Sequence, residues 1–278
     1  MQASIRAHSW RAHLFLLATA FAVSMPGAPP AQAVTLPGTS LAGTVLFNLG
    51  ARKDTIAFGE ISLDDPGIGS VAFGSTGMPS PALLASADIG PNDAVPSLFG
   101  RGVGVLTYYF TVAGPAGSVP VLVDVTGAAT ASATIGASFA VESMWVLYDS
   151  PSFTTQLAGD DVASGQRTGT FDDGFDRSVG LTLTANHVYA VVMKVDANAA
   201  ATDTGSHAVA HASVDPAFSF GVGVDSQLHS FAFSEGIGNT PVPEPGTLAL
   251  ICAGLASLGL TRRSRRRSPR EDLFESAR

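Results

Sequence analysis

Cysteine is all but missing: the chain has one, Cys252, in 278 residues. That residue lies in an uncharged run near the C-terminal end, so the part ahead of it has no disulfide and no thiol nucleophile. Its core must hold by packing alone. Positive charge is scarce as well. Between residues 34 and 242, six Lys and Arg stand against nineteen Asp and Glu, a net of −13, whereas the whole chain carries −8. Phosphate backbones are held by Lys and Arg, so nucleic acid is excluded as a partner; an acidic surface suits solubility outside a cell and contact with divalent cations. Catalytic motifs are missing too. There is no Gly-x-Ser-x-Gly elbow, no phosphate-binding P-loop and no Gly-x-Gly-x-x-Gly following a strand. Nineteen acids guarantee that some pair is close, so a glycosidase pair has no diagnostic value here, and a Ser-His-Asp triad is assembled in space rather than in sequence.

The two ends of the chain are informative. Arg6 and Arg11 precede an apolar run over residues 14–23, then Pro26, Pro29 and Pro30 break the helix before Ala31-Gln32-Ala33. This positive, apolar, small-residue order is that of a secretory signal peptide, with cleavage expected after Ala33 and Ala31 at the other small-residue position. Ten apolar residues are too few for a stable membrane span, so residues 1–33 are set apart from the fold. Leu36-Pro37-Gly38-Thr39 imitates a sortase signal, but Ser40 follows where Gly is expected and no anchor helix comes after it.

At the other end, Val242-Pro243-Glu244-Pro245-Gly246 is followed by an uncharged run over 247–260 and then by Arg262, Arg263, Arg265, Arg266 and Arg267. Pro243 and Pro245 fix their own φ and bias Val242 and Glu244 towards extended backbone, which makes a stiff, accessible handle. Fifteen helical residues, 247–261, span about 22 Å, short of the roughly 30 Å hydrocarbon core. The arginines right behind them reach into headgroups and hold that end in the cytoplasm. A buried helix would show a polar face, and apart from Thr247 and Ser257 this run has none.

The order of handle, short apolar helix and arginine cluster resembles the PEP-CTERM sorting signal of Gram-negative-type bacteria. The resemblance implies recognition of Pro243, Glu244 and Pro245 by an exosortase, an integral-membrane processing enzyme. It also implies a temporary anchor at 247–260, stop-transfer charges at 262–267, transit through the inner membrane, and a setting where exopolysaccharide is made. Such tails usually end at the arginines; here residues 268–278 follow. Ala212-Ser213-Val214-Asp215-Pro216 and Ser234-Glu235-Gly236-Ile237-Gly238-Asn239 also look like the closing segment of many proteins with this tag.

Between the two signals the chain is rich in Gly, Ala, Thr, Ser and Val, and its apolar runs are short and bounded by Gly, Pro, Asp or Asn, a strand pattern. Leu106, Tyr108, Phe110 and Val112 alternate with Thr107, Tyr109 and Thr111. Residues 119–125 follow after Gly114-Pro115-Ala116-Gly117, consistent with a hairpin. Further strands are expected at 41–49, 55–63, 129–139, 142–148, 179–184, 188–195, 206–214, 218–224 and 229–234. Residues 74–102, with four prolines, read as a long loop holding a short helix at 82–87. The expected fold is an all-β antiparallel sandwich of the jelly-roll kind over residues 34–235. A linker at 236–241, the sorting signal at 242–267 and a cytoplasmic extension at 268–278 complete the chain.

Candidate sites within this part are few. His207 and His211 would lie about 13 Å apart along a strand, too far to share a metal. Asp172, Asp173 and Asp176 surround Gly174 in an acidic segment that offers carboxylates to calcium, but without the alternation and closing Glu of an EF-hand loop. A solvated acidic turn carries more weight. Trp145 with Tyr108, Tyr109, Tyr148 and Tyr189 offers a sugar-stacking platform, although the apolar neighbours of Trp145 favour a core position for it. No cofactor and no catalytic residue is expected. The functional expectation is an exported, non-enzymatic surface or matrix protein associated with exopolysaccharide and biofilm, with the secretion machinery and an exosortase as partners. The alternative is a carbohydrate-binding module or an exopolysaccharide-acting hydrolase.

Overall fold

The computed structural model describes residues 34–47, 50–90 and 97–239. The expected signal peptide, the expected sorting signal with its helix, and the extension at 268–278 lie outside the described residues. Among the described residues every regular element is a strand, and no helix is long and apolar enough to cross a membrane.

The strands are β1 (Ser40–Phe47), β2 (Arg52–Thr55), β3 (Gly59–Asp65), β4 (Gly69–Thr76), β5 (Ala82–Ile89), β6 (Leu98–Ala113) and β7 (Ser118–Ala133). They continue as β8 (Ala137–Tyr148), β9 (Gln156–Arg167), β10 (Gly169–Thr184), β11 (Tyr189–Ala201), β12 (Ala208–Phe220) and β13 (Ser230–Phe233). One sheet runs β2-β1-β6-β11-β8-β9, the other β10-β7-β12-β5-β4-β3. All pairings are antiparallel, from β1 with β2 to β8 with β9. Phe110 of β6 pairs with Tyr189 of β11 on one side and with Phe233 of β13 on the other, so β13 continues the edge that β1 occupies further along β6.

The two sheets face each other across one core, and alternation decides which side chains enter it. On β6 the inward set is Leu98, Leu106, Tyr108, Phe110 and Val112; on β5 it is Leu83, Ala85, Ala87 and Ile89. At the pole where β11 turns into β12, the buried alanines Ala137, Ala199, Ala201, Ala208 and Ala210 are packed among Leu98, Phe139 and Ile89. At the opposite pole Phe110, Phe218, Phe231 and Phe233 cluster, with the Phe110 and Phe218 ring centroids 4.7 Å apart. Between these poles the sheets come close enough that glycine is required. A Cβ on Gly104 would sit 1.9 Å from the Phe73 ring, one on Gly43 2.2 Å from the same ring, and one on Gly102 2.4 Å from the Ala72 carbonyl oxygen. Phe73 thus fills a slot made by two missing side chains. The open edges are tied across the sandwich: Arg177 of β10 reaches Asp160 of β9 at 2.9 Å, and Lys53 of β2 donates to the Ser62 carbonyl of β3 at 2.7 Å.

Several expectations need correction. Residues 82–87 form β5 rather than a helix, because Leu83, Ala85 and Ala87 bury at period two and β5 is hydrogen-bonded on both edges. Pairing overrides the helix preference of alanine. The 74–102 region is therefore mostly strand, with β4, β5 and the start of β6 inside it. The turn at 114–117 is not a hairpin, since it carries the chain from β6 in one sheet to β7 in the other. The acidic segment around Asp172, Asp173 and Asp176 is not a loop: it is the start of β10, paired with β7 from Gly169↔Ala133 to Thr184↔Ser118. Residues 236–239 are docked on the domain rather than a free linker, with Ile237 buried and Asn239 hydrogen-bonded to Phe218.

The Phe73 slot makes a direct test of the close sheet approach. Gly104→Ala is expected to destabilise the domain by about 3 kcal/mol, the upper end for overpacking. Gly180→Ala, where an added Cβ meets nothing within 4 Å, is expected to stay within about 0.5 kcal/mol. Urea unfolding of both variants decides the matter, and equal effects would refute the slot.

Candidate functional site

Period-two alternation splits the aromatic residues into two groups. Trp145 and Tyr108 are fully buried and Tyr189 nearly so, so they belong to the core and offer no surface to a sugar. Tyr109 and Tyr148 point the other way, onto the outer face of the first sheet. Both are in register with Ala190 of β11, one from each side, so the row reads Tyr109, Ala190, Tyr148. The small central residue leaves a hollow between the two phenol rings. Phe153 fills it from the loop at 149–155, with its ring centroid 6.4 Å from Tyr109 and 5.3 Å, edge-on, from Tyr148. Ala190 beneath is inaccessible, while Phe153 keeps 41% of its surface exposed.

The loop holds Phe153 in a conformation it does not favour. Its φ is 55°, in the left-handed region that bulky side chains rarely adopt. Two backbone bonds enforce this: Asp149 N–H donates to the Thr155 carbonyl at 2.9 Å, and Phe153 N–H to the Ser150 carbonyl at 3.1 Å. The hydroxyls of Ser150, Ser152 and Thr154 run alongside in contact, 2.6 and 3.3 Å apart. His187 anchors the base of the loop through the Asp149 carbonyl, with the Asp149 carboxylate 3.5 Å away, and its ring stands edge-on to Tyr189. Outer-face aromatic rings bordered by hydroxyls and a carboxylate can meet the C–H faces of sugar rings while bonding their hydroxyls. Sequence reading missed Phe153 because its loop has no periodicity; its position between two serines and two threonines was the only signal.

Every basic residue in the described part is engaged. Arg52 pairs with Asp54, Arg101 with Asp196, Arg177 with Asp160 and Lys194 with Glu142. Lys53 is bonded to Ser62, and the Arg167 guanidinium lies 4.5 Å over the Phe171 ring. Asp196 accordingly holds the Arg101 guanidinium above its ordinary range. Acidic polymers would find no uncommitted cation among these residues.

The remaining candidates separate. On β10, Asp172 and Asp176 alternate with residues of the opposite face, and among the described residues no three His, Cys, Asp or Glu side chains are placed to hold a metal. His207 lies just before β12 and bonds Asp88 at 2.8 Å, whereas His211 is on β12 opposite Ser86 and Thr130. Asp88 also borders a shallow groove of about 450 Å³ with Asp64, Asp65 and Ile68 at the β3–β4 turn. Two carboxyls are perturbed: the Thr44 hydroxyl and Arg52 hold Asp54 low, whereas burial pushes Asp215 on β12 up, against the hydrogen bond from Ser80. Burial likewise pushes the Tyr108 phenol well up, helped by the Asp215 charge, and its hydroxyl has no hydrogen-bond partner.

Fold and surface together define an acidic all-β domain, free of disulfides. Residues 241–267 match the family described as the PEP-CTERM protein-sorting motif, so the chain carries a PEP-CTERM sorting motif, which implies export and exosortase sorting towards the cell envelope or surface. No curated protein matches the chain. Among solved structures, a viral particle of infectious bursal disease virus is 10% identical over 87% of this chain and 88% of that one, at a TM-score of 0.15. A subviral particle of infectious bursal disease virus is 10% identical over 91% and 95%, also at 0.15. Likeness at that level carries no argument about fold or function.

The Asp215 environment predicts a pH effect with a definite sign. A carboxyl raised in the folded state costs stability once it ionises, so the domain is expected to weaken as pH rises through the folded pKa. Asp215→Asn should therefore be more stable than the parent near neutrality and equal to it below about pH 3, where both folded and unfolded forms are protonated. Urea unfolding across that range reads the gap, and a gap independent of pH would contradict it.

Proposed function

We propose that the chain is a non-enzymatic surface or matrix protein that associates with exopolysaccharide in a biofilm setting. It enters the general secretion path by a leader removed after Ala33, is held at the inner membrane by residues 247–261 and the arginines at 262–267, and is freed by an exosortase reading Pro243, Glu244 and Pro245. The observation that carries this reading is the sorting motif at 241–267. The finer description of the fold is a jelly-roll-like sandwich. It is supported by the nested crossings in which β5 and β6 lie in different sheets, β11 and β12 likewise, while β5 pairs with β12 and β6 with β11.

Association with polysaccharide is supported by the outer-face row of Tyr109, Phe153 and Tyr148. It also favours the related reading of a carbohydrate-binding module, in which recognition is by stacking and hydroxyl contacts. Because the described cations are all committed, a neutral glycan fits better than one rich in carboxylates.

Two experiments test the proposal. An epitope placed at residues 114–118, followed through cell fractions with and without the exosortase, is expected to show an uncleaved, membrane-held form accumulating only when the enzyme is missing. Identical fractions in both strains count against it. For the partner, the purified domain is expected to bind extracted polysaccharide without shortening it. Phe153→Ala should weaken binding about tenfold, as expected when one aromatic contact is lost. Shortening of the polymer would instead establish the hydrolase alternative, and parental affinity in Phe153→Ala would remove the aromatic row from the account.

A further inference from the structure

The domain ends on a strap. Ser234 is buried and clasps the backbone of Tyr109 three times: its N–H and its hydroxyl donate to the Tyr109 carbonyl at 2.8 and 3.0 Å, and the Tyr109 N–H donates to its Oγ at 2.7 Å. The next carbonyl, Glu235, accepts from the Thr39 hydroxyl at 2.7 Å, so the first and last described segments meet here. Gly236 turns the chain with φ at 82°, a value open to glycine. Ile237 then buries its side chain, and Gly238 N–H donates to the Gly77 carbonyl at 2.6 Å. Finally Asn239 bonds β12. The last β5 partner of β12 is Leu83, opposite Val214, and further along that edge the Asn239 amide takes both backbone groups of Phe218. Phe218 N–H donates to its Oδ1 at 3.2 Å, and its Nδ2 donates to the Phe218 carbonyl at 2.9 Å.

We infer that this strap is a latch that controls how readily the processing enzyme reaches the sorting handle, with Asn239 as the positioning residue. The inference rests on the exosortase reading above. While Asn239 is docked, an extended chain from it reaches Glu244 over at most about 18 Å, so the sandwich stands close against anything that grips the handle. If the strap lifts at Gly236 while Ser234 stays clasped, the reach from Ser234 to Glu244 becomes about 36 Å. A protease acting on an extended segment needs that clearance, and cleavage then follows the population of the lifted form. Lifting is a local event. It releases Ile237, Gly238 and Asn239 at one pole and leaves both sheets intact.

The test uses the full chain in a host containing the exosortase, with loss of the tail followed after a pulse of label. Asn239→Ala is expected to be processed about fivefold faster, the factor that one net hydrogen bond represents. Ten Gly and Ser residues inserted after Asn239 should speed processing at least as much without changing the melting temperature of the domain. In that insertion background Asn239→Ala should add nothing, since clearance is no longer limiting. A merely stabilising role for Asn239 would give the same increment in both backgrounds and would overturn the inference, as would unchanged or slower processing in the single variants. If the parent chain is never processed, the exosortase reading itself fails, and the latch with it.

Discussion

The close approach of the two sheets around Phe73 is the constraint on which the rest of the molecule depends. With no disulfide in the exported part, the sandwich has only the fit between its inner faces to keep one sheet on the other. That fit is made by subtraction. Gly43 and Gly104 leave room for one ring, and the buried alanines of β5, β11 and β12 add little bulk between the sheets. Interiors close-packed to this degree tolerate little added volume. At the opposite pole Phe110, Phe218, Phe231 and Phe233 close the core with a cluster of rings.

Much of the architecture was legible because alternation is a strong local signal. The strand from Leu106 to Val112 could be read directly, since its inward residues are large and its outward ones carry hydroxyls. The burial of Trp145 was legible from its apolar neighbours. What failed did so for identifiable reasons. Ala82–Ile89 carries alanine and leucine in an order equally compatible with a helix, and only pairing to β4 and β12 decides for a strand. The turn at 114–117 has hairpin chemistry, yet whether a turn joins neighbours in one sheet or crosses to another depends on contacts far away in sequence. The Asp172 region was read as an acidic turn because its charges obscure the alternation; Phe171 and Phe175, four residues apart and facing the core, were the better guide.

The aromatic row depends on the sheet in the same way. Tyr109 and Tyr148 are thirty-nine positions apart and come into one row only because β11 lies between β6 and β8 with Ala190 at the shared register. A larger residue at that point would fill the hollow that Phe153 occupies. The strained backbone of Phe153 is therefore held by a loop whose hydrogen bonds over-determine it, and strain retained at an exposed aromatic residue is a recurrent mark of surfaces under functional constraint. The sequence offered four tyrosines together, and the outer-face pair could not be separated from the core pair without the parity of each strand.

Tyr109 belongs to both of the proposed elements at this pole. Its side chain stands in the outer-face row, and its backbone is what Ser234 clasps at the root of the strap. Thr39 meets Glu235 beside it, so the start of the exported part and the root of its tail leave the sandwich together. On the proposed reading, a chain still held by its anchor has this pole within about 30 Å of the bilayer, the most that the eight residues from Asn239 to Thr247 can span. A face kept that close to a membrane is poorly placed to meet an extended polymer. Removal of the tail would therefore free the pole that carries the aromatic row, and the order of events, release before engagement, follows from where the two elements are joined rather than from any change in the sandwich itself.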